Sequence, residues 1–222
     1  MLFRSLPYDS IKDFAGVSQI ASGSTILLAA PAIGVKSVKE LIALAKAKGG
    51  QLQFGSGGIG SGAHYAGELF RQAAGINAIH VPYKGAPEYL NDIAAGRLPY
   101  AFTPIPSALP FINTGRVVPL AVATKVRSHL MPNIPTVAEA GVPGFSYDGW
   151  YGVFAAAGTP RRIIHQLSNE IGRLIALPEI NNAILKQGEM PMWLASEAFE
   201  KMVQLDIATR RKVFGAAGVK PE

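Results

Sequence analysis

Three features of this 222-residue chain predict an α/β fold with a mainly parallel, buried sheet. Short β-type segments alternate with helical ones between about residues 37 and 124, and that alternation implies crossover connections with strands covered on both faces. Apolar residues make up 49% and charged residues 16%, enough for a large core and too apolar for a disordered chain. The 24 glycines and 16 prolines provide tight turns between short elements.

Residues 37–50, SVKELIALAKAKGG, read as a helix. Ser37 and Glu40 form a capping box, Lys46 and Lys48 stand in the last turn, and Gly49-Gly50 stop it. QLQFGS (51–56) is a short strand, and a helix follows from about Gly62 to Ala74 with Ala66, Leu69, Phe70 and Ala73 on one face. INAIHVPY (76–83) is a strand and APEYLNDIAAG (86–96) a helix. LPYAFTP (98–104) is a strand, SALPFINTG (107–115) a short helix, and RVVPLAVAT (116–124) a strand again. Thr136 and Glu139 make a second capping box, closed by Gly141 and Pro143.

Beyond about residue 143 the chain reads as helix-rich, with almost no strands of its own. YDGWYGVFAAAGTP (147–160) is an extended crossing segment. Thr159-Pro160 open a helix whose stripe is Ile163, Ile164, Leu167, Ile171 and Leu174. Two more helices follow, over 179–188 and 196–218. Apolar stripes with little sheet beneath them would leave a large exposed patch, so a homo-oligomer is expected, a second copy covering Ile163, Ile164, Leu167, Ile171, Phe199 and Val203.

Several function classes are disfavoured at once. With no cysteine there is no disulfide, no thiolate catalysis and no cysteine-ligated zinc. The net charge is +6, but the basic residues are dispersed and no aromatics interleave with the runs Arg161-Arg162 and Arg210-Arg211-Lys212. A nucleic-acid surface wants both, so a cationic surface that favours small anions is expected instead. No apolar run approaches the ~18 residues of a membrane span; Ile26 to Val35 is broken at Pro31. MLFRSLPYDS at the start lacks the apolar core of a signal peptide.

The densest signal is FGSGGIGSGAHYAGELF (54–70), with five glycines and two serines between residues 55 and 62. Gly55, Gly57 and Gly60 match a dinucleotide fingerprint, but that also wants an acid at the end of the next strand, where VPYKG has none before Glu88. A phosphate-binding P-loop wants Gly-Lys-Ser/Thr, and here Gly60-Ser61-Gly62 stands without the lysine. A small serine-type hydrolase would use Ser61 with His64, three residues apart on one helical turn, though no orienting acid is evident. The fourth alternative is a small anion such as a carboxylate, held by bare amides and the Ser56 and Ser61 hydroxyls at a helix start, with no metal and no cofactor. A turn that is merely tight stays open beside it.

Several longer motifs carry a resemblance: LPYDSIKDFAGVSQIA, SVKELIALAKAKGGQLQFGSGGIGSGAHYAGELF, HVPYKG, PSALPFINTGRVVPLAVAT, IPTVAEAGVPGF and WYGVFAAAGTP. In that order, over nearly the whole chain, they resemble the solute-binding receptors of the tripartite tricarboxylate transporters, the Bug family. The resemblance implies a periplasmic, non-catalytic receptor of the type II periplasmic binding-protein fold that captures small carboxylates and delivers them to a membrane permease. It implies that Gly55, Ser56, Gly57, Gly58, Gly60, Ser61, Gly62 and His64 form the second-lobe carboxylate clamp. Thr103 would stand on the adjacent strand-end loop, and Tyr147 and Trp150 near the hinge and cleft mouth.

Family members begin with a signal peptide and a proline- and glycine-rich first-lobe loop that this sequence does not show. The expectation is therefore an N-terminally truncated fragment from an environmental reading frame, with residues 1–5 not native to the receptor. Residues 1–14 would be a remnant of the first lobe, 15–143 a nearly complete second lobe, and 144–222 the hinge crossing and C-terminal helices of the incomplete first lobe.

Overall fold

The structure is a computed structural model and describes residues 7–219. The expectation about residues 1–5 lies outside the described residues. In chain order the elements are β1 (Phe14–Gly23), β2 (Thr25–Ala29), α1 (Val38–Ala47), β3 (Gln53–Ser56), α2 (Gly62–Ala73), β4 (Ile79–Pro82), α3 (Ala86–Ala94) and β5 (Tyr100–Pro104). There follow α4 (Ile105–Asn113), β6 (Val118–Val122), β7 (Gly149–Ala156), α5 (Arg161–Ile175), α6 (Pro178–Lys186), β8 (Glu189–Leu194) and α7 (Ser196–Ala216). They form two compact units, one over Ser24–Asp148 and one joining the residues up to Gly23 with those from Gly149 onward. The division thus falls after Gly23 and Asp148, not at the expected 15 and 143.

The Ser24–Asp148 unit is built on a five-stranded sheet in the order β4-β3-β5-β2-β6. β3 runs parallel to β4 and β5, while β2 runs antiparallel to β5 and β6. Four of the five strands therefore share one direction, and the expected mainly parallel sheet has one reversed strand, next to the β6 edge. That strand, TILLA, is buried at every position. A strand covered on both faces loses the apolar–polar alternation and reads as a continuous apolar run.

Alternation survives on β5. Tyr100 and Phe102 point to one face, where Phe102 meets Phe70 of α2 at 5.7 Å and Phe145 at 5.8 Å. Ala101 points to the other, into a cluster with Ile26, Leu28, Tyr89, Leu90, Ile93 and Ile105. The Ser37 cap holds as read, its hydroxyl accepting from the Glu40 amide at 3.2 Å. The Thr136–Glu139 box closes in both directions, at 2.9 and 3.1 Å, but around a turn with no helix after it.

The second unit corrects an expectation. Residues after 143 do contain strands: β7 and β8 flank β1, all antiparallel, in a three-stranded sheet. β7 is the segment read as an extended crossing. β1 went unread because its ten residues carry two register shifts that break a simple alternation. α5 packs Ile164 onto Ala15 and Val17, and α7 packs Phe199, fully buried, against β7. The helix stripes thus have a sheet of their own, which removes part of the reason for expecting a second copy. Ile163, Leu167 and Leu174 remain exposed at 38, 46 and 37%.

Candidate functional site

The glycine stretch leaves the end of β3 and turns into α2. Its glycines have two different reasons to lack a side chain. A Cβ at Gly55 would stand 2.3 Å from Leu98, so this buried glycine is required by packing between strand and neighbouring loop. Gly58 and Gly60 have φ of 115° and 77°, a backbone region that side chains strain to adopt. These two shape the turn.

The turn is held from within. Ser56, fully buried, has its hydroxyl bonded to both polar groups of Gly58: it donates to the carbonyl at 3.0 Å and accepts from the amide at 3.2 Å. The Ser61 amide donates to the Gly58 carbonyl at 3.2 Å. The Ser61 hydroxyl caps α2 by accepting from the His64 amide at 3.3 Å. The Gly60 amide donates to His64 Nδ1 at 3.1 Å. That leaves the amides of Gly57, Ile59, Gly62 and Ala63 without a protein acceptor among the described residues, all on half-buried positions around the start of the 12-residue α2. Orphan amides and the positive end of a helix favour an anion.

The other predicted residues fall into three places. Tyr147 belongs here: its hydroxyl lies against Gly62, where a Cβ would come within 2.4 Å, and its ring meets Tyr65 edge-on at 5.5 Å. Thr103 is fully buried and its hydroxyl accepts from Tyr89 at 2.8 Å, so it does not line the turn. Trp150 is in the other unit, packed on Phe199 at 5.5 Å and donating to Asp206 at 3.0 Å. His64, read as a clamp residue, is 1% exposed and turned inward. Its ring is too deep to meet a ligand, and it serves the turn from behind. The Ser61/His64 hydrolase pair does not form: Ser61 bonds the His64 backbone, and the His64 ring takes the Gly60 amide.

Sequence reading missed His80. This β4 histidine stacks on His64 at 3.6 Å with 7° between the rings, and its Nε2 lies 2.6 Å from Ser56 Oγ. His64 Nε2 faces Glu68 at 3.7 Å, and Arg71 donates to the same carboxylate at 2.9 Å. Burial pushes the Glu68 carboxyl up, but His64 and Arg71 outweigh it and hold it below its ordinary value. Burial pushes His80 from an ordinary value of 6.5 down to about 3.

This has a consequence for stability. Between pH 6.5 and about 3 the unfolded chain binds a proton at His80 that the folded chain refuses. The stabilisation is whole above 6.5 and is lost as the pH falls towards 3. Urea midpoints are expected to drop between about pH 7.5 and about pH 4.5, and less steeply in His80→Gln. Parallel slopes in the two proteins would contradict this.

The profile of the tripartite tricarboxylate transporter family receptor matches residues 1–219. The chain belongs to the tripartite tricarboxylate transporter receptor family. Among its curated relatives, the "UPF0065 protein in tcbD-tcbE intergenic region" of Pseudomonas sp. (strain P51) is 34% identical over 184 residues, which is 82% of this chain and 55% of that protein. Protein BugT of Bordetella pertussis is 31% identical over 191 residues, 86% of this chain and 59% of its own. This receptor-family chain therefore spans between a half and two thirds of the length of these relatives. Of solved structures, R. palustris Rpa4515 with adipate superposes at a TM-score of 0.89 with 32% identity, covering 100% of this chain and 74% of that one. MatC from Rhodopseudomonas palustris with bound malate gives 0.81 and 26%, covering 96% and 73%. The type II periplasmic binding-protein architecture of the receptor family is thus shared by this chain.

Proposed function

We propose that the turn of residues 55–62 receives one carboxylate of a small carboxylate ligand, in a periplasmic receptor that delivers it to a membrane permease. The observation that carries this is the set of four amides, Gly57, Ile59, Gly62 and Ala63, gathered at the start of α2 without acceptors among the described residues. No charged side chain stands between Gly55 and Gly62. Recognition would therefore rest on neutral donors and the helix end, with the Tyr147 hydroxyl beside them. Adipate and malate in the two Rhodopseudomonas structures support the ligand class.

Neutral amides gripping one carboxylate give modest affinity. Each charge-assisted bond is worth ~1.5–3 kcal/mol before the costs of association are subtracted. Calorimetry of the chain against adipate, malate and citrate is expected to find binding weaker than about 1 μM. A ligand held far more tightly would mean that other groups carry recognition, and silence with every carboxylate would remove the assignment. Self-association belongs to the same proposal. Leu167 and Leu174 stand exposed on α5 beside Trp193, itself 42% exposed and seated on Ser168 and Gly172. Sedimentation of the same samples is expected to show a dimer or larger; a monomer at every concentration would refute it.

A further inference from the structure

We propose that His80 and His64 are positioning residues that together brace the glycine turn for carboxylate binding. The inference rests on the turn being the carboxylate site. His64 is buried and His80 half-buried, and each holds one end of the turn. His80 reaches Ser56 Oγ at 2.6 Å, and that hydroxyl bonds the amide and the carbonyl of Gly58. His64 Nδ1 accepts from the Gly60 amide at 3.1 Å. The rings lie flat on each other at 3.6 Å, so a displacement at one end of the turn is felt at the other.

The chemistry fixes the protonation pattern. A ring nitrogen that accepts from an amide carries no proton, so neutral His64 bears its proton on Nε2, towards Glu68 at 3.7 Å. The stack is backed by the Phe54 ring, 5.1 Å from His80 and 6.2 Å from His64. The positive-φ glycines at 58 and 60 are the two residues tied down. A glycine backbone has more conformations to lose than any other, so tying these two in advance lowers the entropy cost of presenting the neighbouring free amides to a ligand.

The test has one readout that needs no ligand and one that does. Exchange of the Gly58 and Gly60 amides is measured by NMR in the free protein, and adipate affinity by calorimetry. His80→Phe and His64→Phe keep a stacked ring and lose the polar contact. Both are expected to speed the two amides by about tenfold and to weaken adipate by a similar factor. His80→Gln places an amide where Nε2 stood, and His64→Asn places an oxygen where Nδ1 stood. Each is expected to recover both readouts to within about threefold of the parent. Ser56→Ala cuts the brace without touching either ring and should resemble His80→Phe. Unchanged exchange and affinity in the Phe variants would overturn the proposal, as would equal losses in the Phe and the rescuing variants. If the parent binds no adipate, malate or citrate while the exchange pattern holds, the carboxylate assignment falls and the brace remains.

Discussion

Gly67→Val is expected to destabilise the Ser24–Asp148 unit by about 3 kcal/mol. Gly67 faces β3 from the middle of α2, and a Cβ there would stand 2.2, 2.6 and 3.1 Å from three atoms of the Phe54 ring. The ring cannot swing away cheaply. It is fully buried, stacked on Tyr100 at 5.8 Å and set against both histidines. The added side chain must therefore lift α2 from the sheet or force Phe54 from its rotamer, and a close-packed interior offers no slack for either. Shrinking the partner should relieve the clash. Phe54→Leu alone loses packing, but Gly67→Val in that background is expected to cost much less than in the parent. Urea titrations of the four proteins check this, and additive losses would show that the two positions do not compete for the same space.

The second large effect is on binding. Gly62→Ala is expected to weaken adipate by about tenfold, the loss of roughly one charge-assisted bond. Its new methyl group would come within 2.4 Å of the Tyr147 hydroxyl, at the first residue of α2 and beside a free amide. Tyr147 is anchored, since its amide donates to the Ala123 carbonyl at 2.8 Å and its ring abuts Tyr65. The helix start and the hydroxyl must then separate, spoiling the convergence of donors on one carboxylate. Tyr147→Phe removes the clashing oxygen and leaves the next ring atom 3.6 Å from the methyl, an ordinary contact. Gly62→Ala in the Tyr147→Phe background is therefore expected to bind no worse than Tyr147→Phe alone. A full tenfold further loss in that background would place the damage elsewhere.

Much of this molecule was legible along the chain because the signals are local. A capping serine lies within one turn of the amide it serves, as Ser37 does. The turn from β3 into α2 announces itself by the density of glycine and serine. Alternation of strand and helix gave the fold class. The long collinear motifs gave the family, which the profile over residues 1–219 supports.

Other features exist only once distant segments meet. The direction of β2 is set by its neighbours on either side, and its uniform burial erased the period that marks a strand. β8 and β1 lie far apart in sequence, and neither has a clean alternation; pairing with β1 is what makes a strand of either edge. Gly55 looks like part of a ligand motif beside Gly58 and Gly60, yet packing against Leu98 accounts for it. His80 stands 24 residues from Ser56, on a strand whose pairing with β3 puts His80 level with Phe54. By itself the sequence determined where the glycine turn into α2 would form, because turn and cap geometry depend on neighbouring residues. Which groups hold that turn rigid was decided by the tertiary structure, because stacking and burial depend on residues that only the folded sheet brings together.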